Sequence, residues 1–259
     1  MTEYAHLHRL IIAFVLASAR LGPAMAILPA TSTSMITGTA RNAATLAFAA
    51  LTVPSVMAFL PAGGLPLPLL GLLALKEVVV GTIIGFAASI PFWVAENVGN
   101  FIDNQRGATM GEVFSPLSGT QVSTIGILFT QIVSTLFFVG GGILLFLGAV
   151  YHSYDIVPLM TEGLSIAGDA PAYMLGRLDS MMAVSFMIAS PVIILMFLAT
   201  VGLGFVNRTA PQLNVFFLSM PVKSALGIAM LVIYLQYILD ILVYRDEGAI
   251  LMPLKRLFG

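Results

Sequence analysis

Residues 96–123 read ENVGNFIDNQRGATMGEVFSPLSGTQVS and lie between the long apolar runs Leu67–Ala95 and Thr124–Val150. Asn97, Asn100, Asp103, Asn104, Gln105, Arg106 and Glu112 crowd together here with Gly99, Gly107, Gly111, Gly119 and Pro116. Few other segments of the chain are so polar, so the flanking runs read as a scaffold and this stretch as the working part. Glycine and proline within a polar run suit non-helical backbone. At membrane depth such backbone is tolerated only where protein or a water-filled cavity surrounds it.

The flanks are typical of the whole. The 259 residues are 59% hydrophobic and 9% charged, with mean hydropathy +1.01, against about 25% charged in a soluble domain. That is too little polar surface to coat a water-soluble globule. A membrane barrel would alternate over segments of about 10 residues, whereas these runs are long and continuously apolar. The fold class is therefore an all-α integral membrane protein, taken as one domain over residues 1–259.

Composition also narrows function. A net charge of −1 argues against a nucleic-acid partner, and the absence of cysteine removes disulfides, thiol nucleophiles and thiolate metal sites. His6, His8 and His152 are too scattered for a metal site, and no cofactor is expected. No HExxH, phosphate-cradling glycine loop or paired acid and base is present, so the chain does not read as an enzyme. Leu10–Ala19 followed by Ala24-Met25-Ala26 imitates a cleavable signal. Glu3, Arg20 and the apolar residues beyond Pro23 make it a retained membrane segment instead.

Six runs reach the roughly 20 residues that a span requires: Leu10–Leu28, Ala43–Leu60, Leu67–Ala95, Thr124–Val150, Met182–Val206 and Lys223–Val243. The third is long enough to be one tilted helix or two shorter pieces. Gly22-Pro23, Pro54, Pro91, Gly140-Gly141-Gly142 and Pro191 interrupt the runs, which predicts broken helical hairpins partly wrapped by partners. Asp155, Glu162, Asp169 and Asp179 place residues 151–179 away from the cytoplasm by the positive-inside rule. Arg208 and Lys223 favour the cytoplasm for the loop between them, which puts both termini outside, yet Arg245, Lys255 and Arg256 pull the C-terminus the other way.

Arg20, Lys76, Glu77 and Asp240 lie in or near membrane segments, where a charge costs about 2.5–3.5 kcal/mol on insertion scales. Lys76 and Glu77 are adjacent and diverge by about 100° on a helix, so each is expected to seek a partner elsewhere. A proton relay and a static buried pairing both remain open. Gly81, Gly85 and Ser89 recur every four residues as a small-residue stripe, for packing within the chain or between subunits. Fourteen methionines supply soft core filler. With its stripe and buried charges in need of partners, the chain is expected to be poorly stable alone.

A second polar cluster, residues 207–223, reads NRTAPQLNVFFLSMPVK and is expected as an interspan loop containing Arg208, Pro211, Gln212, Asn214 and Lys223. Together with IDNQRG (Ile102–Gly107), PLSGTQ (Pro116–Gln121) and Gly140–Gly142, it resembles the T component of the bacterial type III secretion export apparatus. That SpaR/YscT/HrcT group is related to the flagellar FliR proteins. The likeness covers roughly residues 8–245, and the IDNQRG and PLSGTQ strings lean towards the secretion branch.

The resemblance implies a structural subunit of the inner-membrane export gate, within the secretion basal body. There it assembles with the R and S components into a helical ring, the entry portal for unfolded polypeptides in transit. The large export-gate and switch proteins and the needle base are implied neighbours. It further implies that residues 103–121 form a lumenal plug, with Asp103, Asn104, Gln105, Arg106, Gly107, Met110, Phe114, Pro116 and Gln121 as plug residues. Met110 and Phe114 are the candidate apolar stoppers, and Asp103 or Glu112 the anchor for Arg106. Lys76, Glu77, Gly81, Gly85 and the residues of the second cluster are assigned to subunit contacts or buried charge. A secondary transporter, with its own broken helices and intramembrane charges, and a flagellar paralogue are the alternatives.

Overall fold

A computed structural model describes residues 2–32, 35–61, 65–107, 123–161, 168–209, 215–242 and 248–258. These form eight α-helices: α1 Thr2–Ile27, α2 Gly38–Phe59, α3 Leu67–Arg106, α4 Thr124–Val139, α5 Gly142–Ile156, α6 Ala170–Thr209, α7 Val215–Leu242 and α8 Gly248–Phe258. No strand occurs among the described residues. Among the described residues, five helices are long and apolar enough to cross a membrane, or six if α4 and α5 count as one broken span. The all-α membrane class is as expected.

The breaks fall elsewhere than the prolines. Helix runs through Pro23, Pro54, Pro91, Pro191 and Pro221, each of which removes one backbone bond. The third apolar run is one helix of 40 residues, α3, which ends at Arg106 rather than Ala95. At 1.5 Å per residue it measures about 60 Å if straight, twice the hydrocarbon thickness of about 30 Å. The run Thr124–Val150, expected as one span, breaks at the glycine triplet. Gly141 takes φ 77°, a region open to glycine at little cost, and its carbonyl accepts from the Leu144 amide at 2.9 Å. A Cβ on Gly142 would lie 2.4 Å from the Phe137 ring.

The 1–259 domain comprises two compact units. The first contains Met1–Ile90, Phe137–Met174 and Tyr244–Gly259. Its centre is α1, with Leu16, Leu21 and Met25 buried, against the first part of α3, where Leu73, Val80 and Ile84 are buried. The small-residue stripe is the contact. A Cβ on Gly81 would sit 1.9 Å from the Arg20 carbonyl oxygen, and one on Gly85 would sit 2.8 Å from that of Ala24. Ser89 Oγ donates to the Ile27 carbonyl at 3.2 Å. The stripe is therefore filled from within the chain, the first of the two packings its spacing allowed.

The start of α1 is tied to the end of α2 by Arg9, whose Nη2 donates to the carbonyls of Met57 at 3.0 Å and Leu60 at 2.8 Å. A cation there meets the unpaired carbonyls and the negative pole of the helix. The basic C-terminal segment is no loose tail. Helix α8 packs on α5, burying Ile250, Leu251, Leu254 and Leu257 while Lys255 and Arg256 stay exposed. Arg256 Nη2 meets Asp169 Oδ2 at 2.8 Å. Asp169 of the acidic segment and Arg256 of the basic tail, which charge counting pulls to opposite sides of a membrane, are therefore neighbours.

The second unit contains Pro91–Leu136 and Leu175–Val243. Here α3 and α4 form a hairpin so close that a Cβ on Gly99 would lie 2.2 Å from the Gly126 nitrogen. Phe101 meets Phe186 of α6 edge to face at 5.9 Å. Helices α6 and α7 touch where Gly227 admits Met196 Sδ, 2.9 Å from where a Cβ would stand.

Substituting Gly81→Ala is expected to destabilise the chain more than the about 1–3 kcal/mol of ordinary overpacking, because the obstacle is backbone. Gly71→Ala, whose Cβ would meet nothing within 4 Å, is the matched control. Thermal unfolding of both variants in detergent checks this, with Gly71→Ala expected to melt like the parent chain.

Candidate functional site: a buried ion cluster and the base of the polar segment

Three charged side chains from two apolar helices converge in the first unit. Arg20 and Glu77 have fully buried side chains, and that of Lys76 is 4% exposed. Arg20 grips Glu77 with both prongs, Nε to Oε2 at 2.5 Å and Nη2 to Oε1 at 3.0 Å, a bidentate geometry that only a guanidinium offers a carboxylate. The remaining donors go to Ser153 Oγ at 2.8 Å and the Val157 carbonyl at 2.9 Å. The Tyr154 ring lies 3.7 Å beneath the guanidinium.

Lys76 Nζ donates to the carbonyls of Pro158 at 2.7 Å and Leu159 at 2.6 Å. It also lies 3.4 Å from Glu77 Oε1. The divergence of neighbours on a helix did not keep these two apart, because the four-carbon stem of lysine bends back to its neighbour. The cluster carries two cations and one carboxylate. The surplus positive charge rests on the carbonyls at and just beyond the C-terminal end of α5, where the helix dipole is negative. Every one of the three ions thus has partners within the chain, an arrangement that suits the static pairing of the two readings.

The polar segment begins on helix, not loop. Asp103, Asn104, Gln105 and Arg106 form the last turn of α3, and Gly107 ends it with φ 84°, the left-handed cap that glycine favours. Asp103 is buried and Asn104 exposed. Arg106 Nε lies 2.8 Å from Asp103 Oδ1, so Asp103 is its carboxylate, although the N–H is not directed at the oxygen. The other oxygen, Oδ2, accepts from Ser123 Oγ at 2.7 Å and from the Ile125 amide at 3.0 Å. Ser123 Oγ in turn accepts from the Gly126 amide at 2.8 Å, which makes Ser123 the N-cap of α4.

One carboxylate thus clamps the two ends of residues 108–122 to each other. Met110, Glu112, Phe114, Pro116 and Gln121 lie outside the described residues.

The second cluster is also more helical than expected. Asn207–Thr209 close α6 and Val215–Lys223 open α7, with Arg208 exposed and Lys223 half-buried. The 207–223 loop is corrected to at most 210–214, and Pro211, Gln212 and Asn214 fall there, outside the described residues. Pro221 lies inside α7. The sequence reading missed Ser153, Tyr154 and the carbonyls of 157–159, for which no sequence signal exists. Ser123 ahead of the apolar run was a legible cap.

The family model described as "Bacterial export proteins, family 1" matches residues 11–246. The chain belongs to this family. It is 38% identical over 183 residues to Yop proteins translocation protein T of Yersinia pestis, covering 69% of this chain and 70% of that one. Identity to Surface presentation of antigens protein SpaR of Salmonella typhimurium is 29% over 240 residues, covering 91% and 88%. Flagellar biosynthetic protein FliR of Bacillus subtilis is 31% identical over 169 residues, covering 64% and 65%. The export-family group expected from the quoted strings, the T components with their FliR relatives, is the group recovered.

Glu77→Gln leaves two buried cations without their carboxylate and is expected to cost about 3–5 kcal/mol. Lys76→Met leaves the Arg20–Glu77 pair neutral and orphans only carbonyls, at about 1–3 kcal/mol. Thermal unfolding should therefore rank Glu77→Gln as clearly the worse of the two; the reverse order would show that Lys76, not Glu77, holds the cluster.

Proposed function

We propose that this export-family protein is a subunit of the type III secretion export gate in the bacterial inner membrane. In this reading it forms part of the portal through which unfolded proteins enter, in a ring with the R and S components. Residues 103–121 serve as the plug. The supporting observation is the Asp103 clamp. A segment that seals a pore must be placed reproducibly yet leave its own backbone to fill the lumen. Asp103 meets the first need by tying Arg106 to Ser123 and Ile125, while the composition of 108–121 meets the second. Met110 and Phe114 then act as apolar stoppers in the manner of hydrophobic gates. The names and extents of the relatives support membership of a secretion apparatus. The T-type relatives favour the secretion branch over the flagellar one.

Deleting Ala108–Phe114 is expected to let small ions through the assembled gate, read as conductance in proteoliposomes or as salt sensitivity of cells. Asp103→Ala is expected to leak less than the deletion but measurably, since the loop remains and only its base loosens. A membrane that stays tight after the deletion excludes this segment as the seal.

A further inference from the structure

Facing stripes of α2 and α5, both in the first unit, enclose a cavity of about 390 Å³. On α2 the stripe runs from Leu51 through Ser55 to Phe59, spaced four residues apart on one helical face. On α5 it is Tyr151, Tyr154 and Asp155, spaced by three and four. Leu51 is 68% exposed and Phe59 60%, so one rim of the cavity merges with an apolar outer surface. That surface belongs to a helix apolar enough to cross a membrane.

The lining is chemically mixed. Asp155 is exposed and makes no ion pair among the described residues. The Tyr151 hydroxyl is buried and has no hydrogen-bond partner among them. Tyr154 is the wall shared with the ion cluster, because Arg20 covers its ring. No lysine or arginine lines the cavity. A carboxylate and aromatic rings favour a cation. A donor without an acceptor favours an oxyanion, and an apolar rim favours a hydrocarbon chain.

We propose that the α2–α5 cavity binds the headgroup of a phospholipid that carries a primary amine. The ammonium meets the Asp155 carboxylate, a phosphate oxygen accepts the Tyr151 hydroxyl, and an acyl chain runs over Leu51 and Phe59. The ammonium of such a lipid neutralises Asp155, whereas an anionic phospholipid without an amine leaves that carboxylate unpaired beside its own negative charge, so the site discriminates by charge. This inference rests on the membrane class of the chain and not on the portal reading.

The test uses the full chain, exchanged into nanodiscs holding equal parts of phosphatidylethanolamine and phosphatidylglycerol. Lipids that remain bound after return to detergent are then counted by native mass spectrometry. The parent chain is expected to retain phosphatidylethanolamine about tenfold over phosphatidylglycerol, a difference of one charge-assisted contact. Asp155→Asn should abolish that preference, and Tyr151→Phe should cut phosphatidylethanolamine retention by about tenfold. Equal retention of the two lipids by the parent, or an unchanged preference in both variants, overturns the proposal. So does a photoreactive residue at position 151 that crosslinks to protein instead of lipid.

Discussion

A guanidinium and a carboxylate with no exposed surface, Arg20 and Glu77, set the arrangement of the first unit. Taking both ions out of water costs several kcal/mol each, and their attraction repays it only with good geometry and a full set of further hydrogen bonds. Those further bonds recruit the rest. Ser153 and Val157 must come to Arg20, and the carbonyls of Pro158 and Leu159 must come to Lys76. Helix α5 is thereby held with its C-terminal end against α1 and α3. The glycines at 81 and 85 follow from the same demand, because α1 cannot bring Arg20 to Glu77 unless its backbone rides directly on α3.

The second unit is governed by a smaller device of the same kind. Asp103 satisfies Ser123, Ile125 and Arg106 together, while Gly99 and Gly126 bring the helices close enough for it to reach. Arg20, Lys76 and Glu77, the ions inside the apolar runs of the first unit, are paired within the chain. Asp240 of α7, by contrast, is exposed and makes no ion pair among the described residues. The stripe and the Arg20–Lys76–Glu77 cluster thus find partners within the chain, where the sequence reading expects other subunits to supply them. What remains for partners and lipid is apolar: α6 and α7 are only 28% and 22% buried over their most apolar windows, against 56% for α3.

Much of this was legible. Hydropathy alone finds the five long helices, and the cost of an intramembrane charge says that Arg20, Lys76 and Glu77 must be paired. The spacing of Gly81, Gly85 and Ser89 announces a close helix contact. Which charge meets which was not legible, since Arg20 and Glu77 are 57 residues apart and nothing local links them. Prolines misled for a physical reason: in a long apolar helix each removes one bond, and the many remaining bonds carry the helix past it. Glycines at 140–142 did break the run, because Gly141 takes a left-handed backbone that other residues resist. At the polar segment, IDNQRG looked like loop because it is polar, yet its first half finishes a helix whose carboxylate serves the next one.

With Arg20, Lys76 and Glu77 paired internally and its long helices apolar on the outside, the chain is built to be surrounded. The direct test is affinity purification from native membranes in mild detergent, followed by intact-mass analysis of what accompanies it. The account predicts one large complex containing several copies of two small hydrophobic proteins. Recovery as a monomer or dimer, without such companions, would contradict it.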